Sequence, residues 1–177
     1  RVRSSAASDV YKRQIFTSVG ATNVTWVWCP NVVGPNTYAN LAALYPGSAY
    51  VDWTCMDGYN YGALKSPAAW QPFTSVFGAT YAAITKLAPT KPVMIGETGS
   101  TEHGGSKAAW ISAMFASLPA SFPTVRALVW FDAYDGSDDW PLESSASATA
   151  AFSAGIARSV FTSNSFSAAA QSPIAAP

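Results

Sequence analysis

The stretch Lys91-Pro-Val-Met-Ile-Gly-Glu-Thr-Gly99 decides how the chain is read. Val93 to Gly96 are apolar or small and read as a strand buried on both faces, as strands of parallel sheets are. The next residue is a carboxylate, Glu97, and Thr98 and Gly99 are expected to end the strand. A charge there costs desolvation energy unless it is paired or put to use. In α/β proteins the carboxyl ends of strands are where ligands bind and catalytic groups sit. The plainer account is a glutamate that caps the next helix or pairs with an arginine, so the neighbouring segments must decide.

Outward from Glu97 the pattern repeats. Val24 to Cys29 is β-branched and aromatic and reads as a strand, with Pro30 and Asn31 opening its loop. Tyr50 to Met56 is a second strand, followed by the loop Asp57-Gly-Tyr-Asn60. Val125 to Phe131 is a fourth, followed by the acidic loop Asp132 to Trp140. Helices are expected over Thr37–Leu44, Trp70–Leu87, Lys107–Ser117 and Ala146–Phe161. A last helical turn at Ile15–Val19, capped by Gly20, precedes them all. Strand–helix alternation means a parallel sheet with helices packed on it. The repeat is roughly 34 residues, so eight units would need roughly 270, the size of a (β/α)8 barrel. The four units here predict an α/β fold that is part of such a barrel. A complete flavodoxin-like domain is the alternative at this length, but Val24 to Asn31 lacks the glycine-rich phosphate turn expected after its first strand.

Composition bounds the function. Of 177 residues, 49% are hydrophobic and 11% charged, which suits a folded core and not a disordered chain. A formal net charge of zero argues against nucleic acid or an anionic membrane as partner. Arg1, Arg3, Lys12 and Arg13 face only Asp9 in residues 1–14, a Ser/Ala-rich segment whose composition changes at Ile15. It reads as a non-native, adapter-derived start, with a genuine helical segment as the alternative. Residues 162–177 are Ser/Ala-rich with two prolines and read as a linker. Cys29 and Cys55 could pair if their strands are neighbours, or stay as buried thiols. No spacing of His and Cys suggests a metal, and no cofactor is expected.

Every strand end carries functional side chains: Trp26, Trp28 and Asn31; Asp57, Tyr59 and Asn60; Glu97; Trp130 and Asp132. In a barrel these share one rim. Aromatic faces stack on pyranose rings, and carboxylates and amides bond their hydroxyls. The reaction this suggests is glycoside hydrolysis, which in retaining enzymes needs two carboxyl groups about 5–5.5 Å apart. Glu97 is the candidate nucleophile, with Tyr59 donating a hydrogen bond to it. Glu102 reads as solvent-exposed, Glu143 as part of the cap of the last helix with Ser144 and Ser145, and Asp135, Asp138 and Asp139 as residues of a mobile loop. None is a convincing partner acid. A non-catalytic carbohydrate-binding or pseudo-enzyme domain is the competing reading.

Several ordered motifs carry a resemblance: Gly20-Ala-Thr-Asn-Val-Thr-Trp-Val-Trp28, Tyr45-Pro-Gly47 with Val51-Asp-Trp53, Asp57-Gly-Tyr-Asn60, Lys91 to Gly99, Lys107-Ala-Ala-Trp-Ile111 and Val129-Trp-Phe-Asp132. From Ile15 to Phe161 the chain resembles glycoside hydrolase family 26, which contains β-mannanases and some mixed-linkage β-glucanases. The resemblance implies a secreted, monomeric, retaining (β/α)8 enzyme acting on polysaccharide, with catalytic glutamates after strands four and seven. It places Glu97 at the nucleophile, Tyr59 at the tyrosine bonded to it, and Trp130 beneath the sugar next to the cleaved bond. Residues 15–161 would then be the carboxyl-terminal half, strands five to eight. The acid/base glutamate would lie upstream of Ile15, leaving the chain inactive alone.

Overall fold

The computed structural model describes residues 5–34, 40–64, 68–136 and 139–161. The order is α1 (Ser5–Ser18), β1 (Val27–Trp28), α2 (Leu41–Leu44), β2 (Trp53–Asn60), α3 (Phe73–Leu87), β3 (Val93–Ser100), α4 (Lys107–Ser121), β4 (Val125–Trp130) and α5 (Ala146–Ile156). The four strands form one parallel sheet in the order β1-β2-β3-β4. The expected α/β alternation is therefore present, and a partial barrel is consistent with it. The beginning of the expected helix from Thr37, the loop residue Asp138 and the tail 162–177 lie outside the described residues.

Helix α1 ends as expected. Gly20 takes φ +74°, and Ala21 N donates to Phe16 O, closing the helix with a left-handed glycine. The helix runs unbroken through Ile15, and its Phe16 ring packs edge-on against Trp26 at 5.2 Å.

Two strands extend beyond their expected ends. β2 continues through Asp57, Gly58 and Tyr59, and β3 continues through Glu97, Thr98 and Gly99, because these segments pair with each other: Asp57 with Glu97, Tyr59 with Gly99, Asn60 with Ser100. Neighbour pairing overrides the turn propensity of Asp, Gly and Asn. β1 is shorter than expected because it is an edge strand, paired on one side only.

Helix α4 runs through Pro119, which the sequence alone would place at its exit. Proline leaves the carbonyl four residues back without a donor. Here that carbonyl, Phe115 O, accepts instead from Arg158 Nη1 at 2.6 Å. Helix α5 ends at Ile156, short of the expected Phe161, and a 3-10 turn Ser159–Phe161 follows. Ser145 is its N-cap, accepting from Ala148 N, while Glu143 lies in a separate 3-10 turn, Leu142–Ser144.

The core lies on one face of the sheet. Met56, Val93 and Ile95 from the strands meet Phe77, Ile84 and Ile111 from the helices, all fully buried. The opposite face is open: Val27 and Val129 are 41% and 51% exposed. At the β4 edge an apolar groove of about 790 Å³ opens between α4 and α5, lined by Phe115, Leu118, Phe122, Leu128, Phe152 and Ile156.

Candidate active site

The site is built where β2 and β3 leave the sheet on its open face. Cys55, Asp57 and Tyr59 alternate along β2, so all three project to the same side. On β3 simple alternation from the buried Ile95 would send Glu97 back into the core. A bulge prevents this. Met56 pairs with Ile95, but the next pair is Asp57 with Glu97, so Gly96 is the extra residue. The bulge brings Glu97 onto the open face beside Asp57. Only glycine fits the bulge, because a Cβ there would lie 2.5 Å from Cys55 Sγ and 2.9 Å from both Asp57 Oδ1 and Cys29 Sγ.

Tyr59 Oη donates to Glu97 Oε2 at 2.6 Å, the short distance of a hydrogen bond to a charged acceptor. Burial and the neighbouring Glu97 carboxylate push the Tyr59 phenol well above its usual range, so it stays a donor. Glu97 itself is exposed and therefore accessible to a ligand. Asp57 is half-buried, and burial, then repulsion by Glu97, raises its pKa to about 6.

Cys29 and Cys55 are joined in a disulfide across β1 and β2. Asp57 Oδ1 lies 3.0 Å from Cys29 Sγ, a contact with no proton in it because both sulfurs are bonded to each other. The donor atoms of Cys29, Cys55 and Asp57 all lie within 4.8 Å of one another. With the disulfide formed they offer no thiolate to a metal.

Aromatic rings wall the pair. Phe131 meets Tyr59 edge-on at 5.9 Å, and Trp140 approaches Tyr59 at 5.0 Å and Tyr61 at 5.3 Å. Gly99 makes room for Trp140, since a Cβ on it would stand 2.9 Å from the indole.

Several expected site residues are elsewhere. Trp130 is 8% exposed and projects to the helix side, between Trp110 and Phe152. Adjacent strand residues face opposite sides, so it is Phe131 that meets the site. Trp28 packs into the same core against Tyr45, and Trp26 lies against α1. Asn60 is 1% exposed, donates to Ser100 Oγ, and accepts from Gly62 N and Gln71 N. It braces the loop after β2 and has no face for a ligand. Asn31 is exposed and paired by a β-bridge with Asp57, so it does stand at the rim. Asp132 is exposed and holds its loop by accepting from Leu142 N at 2.7 Å. Glu102, expected in solvent, is half-buried and accepts from Lys107 N and Ser145 Oγ.

Residues 9–120 match the sequence model of Glycosyl hydrolase family 26. The chain belongs to that family. Within this family 26 chain the match begins ahead of the composition break at Ile15. Endoglucanase H of Acetivibrio thermocellus is 42% identical over 142 residues, covering 78% of this chain and 15% of that protein. Two solved structures share the fold. A Cellulomonas fimi endo-β-1,4-mannanase double mutant aligns at TM-score 0.59 and 21% identity, over 86% of this chain and 35% of that one. The catalytic domain of the GH26 endo-β-1,4-mannanase of Bacillus sp. JAMB-750 aligns at 0.54 and 22%, over 70% and 33%. The family 26 segment thus spans about a third of those solved chains and 15% of that relative.

The residues that sequence reading missed are Phe131, Trp140, Tyr61 and Lys107. Phe131 was within reach of it: period-two alternation from a buried Trp130 predicts it. Trp140 was not, because its backbone is bonded by Trp130 and its ring meets Tyr59 and Tyr61, contacts that no local pattern announces.

Proposed function

We propose that this chain is the carboxyl-terminal half of a retaining endo-β-glycanase that hydrolyses β-1,4-mannan or a related β-glucan by double displacement. β1 to β4 are strands five to eight of its (β/α)8 barrel. The observation that carries this reading is the short Tyr59–Glu97 hydrogen bond on the exposed end of the sheet. Glu97 is the nucleophile, attacking the anomeric carbon while the glycosidic oxygen leaves. Tyr59 keeps the carboxylate aligned, and water later releases the sugar. Asn31, Asp57 and Asp132 bind hydroxyls at the rim, with Phe131 as the aromatic wall. The acid/base glutamate comes from the other half of the barrel.

The open strand edges, the bare face at Val27 and Val129 and the apolar groove at β4 support the half-barrel reading, since each is a surface a closed barrel covers. By itself the 177-residue chain is inactive and prone to aggregate. The parent is a secreted monomer, and the disulfide supports an oxidising compartment.

The test is Glu97→Ala in the parent enzyme. Hydrolysis of soluble mannan or β-glucan falls by roughly 10⁴-fold or more, while retention on immobilised polysaccharide persists. Unchanged hydrolysis removes Glu97 from the role. A parent that binds but never hydrolyses would favour the carbohydrate-binding reading.

A further inference from the structure

Lys107 is a lysine with no exposed surface at all, at the first turn of α4, where a cation is disfavoured by the helix dipole. Its ammonium donates to the carbonyls of Asp139 and Pro141 and to Ser144 Oγ at 2.6 Å, with the Asp139 carboxylate 3.9 Å away. The two carbonyls flank Trp140. The carbonyl between them, Trp140 O, accepts from Trp130 Nε1 at 2.9 Å. Three consecutive carbonyls are thereby fixed from below, two by one buried ammonium. Above them the Trp140 side chain donates from Nε1 to Asp135 and lies against Tyr59, the residue being 2% exposed. Asp139 also accepts from Glu102 N, and Glu102 accepts from Lys107 N, so the loop after β3 is tied to the same point.

We propose that Lys107 is a positioning residue, whose buried ammonium fastens the loop after β4 so that Trp140 holds Tyr59 against Glu97. This rests on the reading of Glu97 as the nucleophile only for its catalytic consequence; the mechanical coupling stands apart from it. Burial lowers the Lys107 pKa, opposed by Asp139, Glu102 and Asp132, and its three oxygen acceptors are those of a protonated amine. Lysine suits the position because its three donors radiate from one atom and reach three acceptors on different sides.

The test compares Lys107→Met with the unmodified chain, each alone and in Trp140→Phe and Tyr59→Phe backgrounds. Expected for Lys107→Met, with helical circular dichroism retained, are two shifts. One further indole becomes quenchable by acrylamide, and one high-titrating tyrosine moves down toward about 10 in an absorbance titration. The first shift vanishes in Trp140→Phe and the second in Tyr59→Phe. A folded Lys107→Met that keeps the indole shielded and the tyrosine high overturns the proposal. Should Lys107→Met not fold, Ser144→Ala takes its place: the same shifts, smaller, support the coupling and their absence overturns it. In the parent enzyme Lys107→Met lowers kcat about tenfold with KM nearly kept, and Lys107→Arg recovers part of it. Loss of coupling with Glu97 still the nucleophile, and the reverse, are separate results of these two arms.

Discussion

The two faces of the sheet are made by the same four strands and do opposite work. On the helix side, Met56, Val93 and Ile95 are fully buried among aromatic and aliphatic side chains. On the open side the neighbouring residues are a disulfide, two carboxylates and a phenol, with apolar Val27 and Val129 left bare. Along β2 and into β3, period-two alternation separates the faces until Gly96. There one extra residue sets Glu97 beside Asp57 instead of turning it into the core. The difference teaches that fold and chemistry can be altered separately along one strand, provided the bulge is left alone.

The contrast is broken most severely from the helix side. Phe77→Ala empties a fully buried site packed against Phe73 and should cost about 3–5 kcal/mol in denaturant unfolding. Val129→Thr, on the bare face, should stay within about 0.5 kcal/mol by the same measurement, with less aggregation in light scattering. Comparable losses would mean that the two faces are not distinct.

Removing the disulfide tests whether the open face also contributes to stability. Cys29→Ala with Cys55→Ala opens a link spanning 26 residues, for an expected loss of about 3 kcal/mol. The Tyr59–Glu97 pair should survive, read as an unchanged high-titrating tyrosine.

The smallest effect concerns charge. Asp57 titrates near 6 in the fold against an ordinary 3.8 for an aspartate, so between those values the folded state binds more protons than the unfolded. This contribution to stability is therefore fully present below about 4 and is lost as pH rises through 6. The loss is on the order of 1 kcal/mol once solvent screening of this half-buried group is allowed for. Asp57→Asn should flatten that slope and be the more stable protein at pH 7. A wild-type slope of opposite sign in thermal melts would contradict the assignment.

Much of this was legible in the chain. Apolar runs punctuated by glycine and proline announced four strands and their helices, and the position of Glu97 at a strand end singled it out before any contact was known. Trp26, Trp28 and Trp130 share their chemistry in the sequence, but the fold places Trp28 and Trp130 in the core and Trp26 against α1, while Phe131 faces the site. The strand ends were misplaced because Asp57-Gly58 and Thr98-Gly99 are turn-like singly and strand-like only when paired. In the sequence Lys107 only opens an expected helix, and the returning loop of Asp139 to Ser144 shows why it is buried.

The most direct test of Glu97 as nucleophile is to trap it. A 2-deoxy-2-fluoro-β-mannoside or β-glucoside with an activated leaving group needs no acid to expel that group. It should therefore inactivate the parent enzyme while leaving a glycosyl ester on the Glu97 carboxylate, seen by mass spectrometry of the peptide from Lys91 to Ser106. A label carried by any other carboxylate would contradict the account.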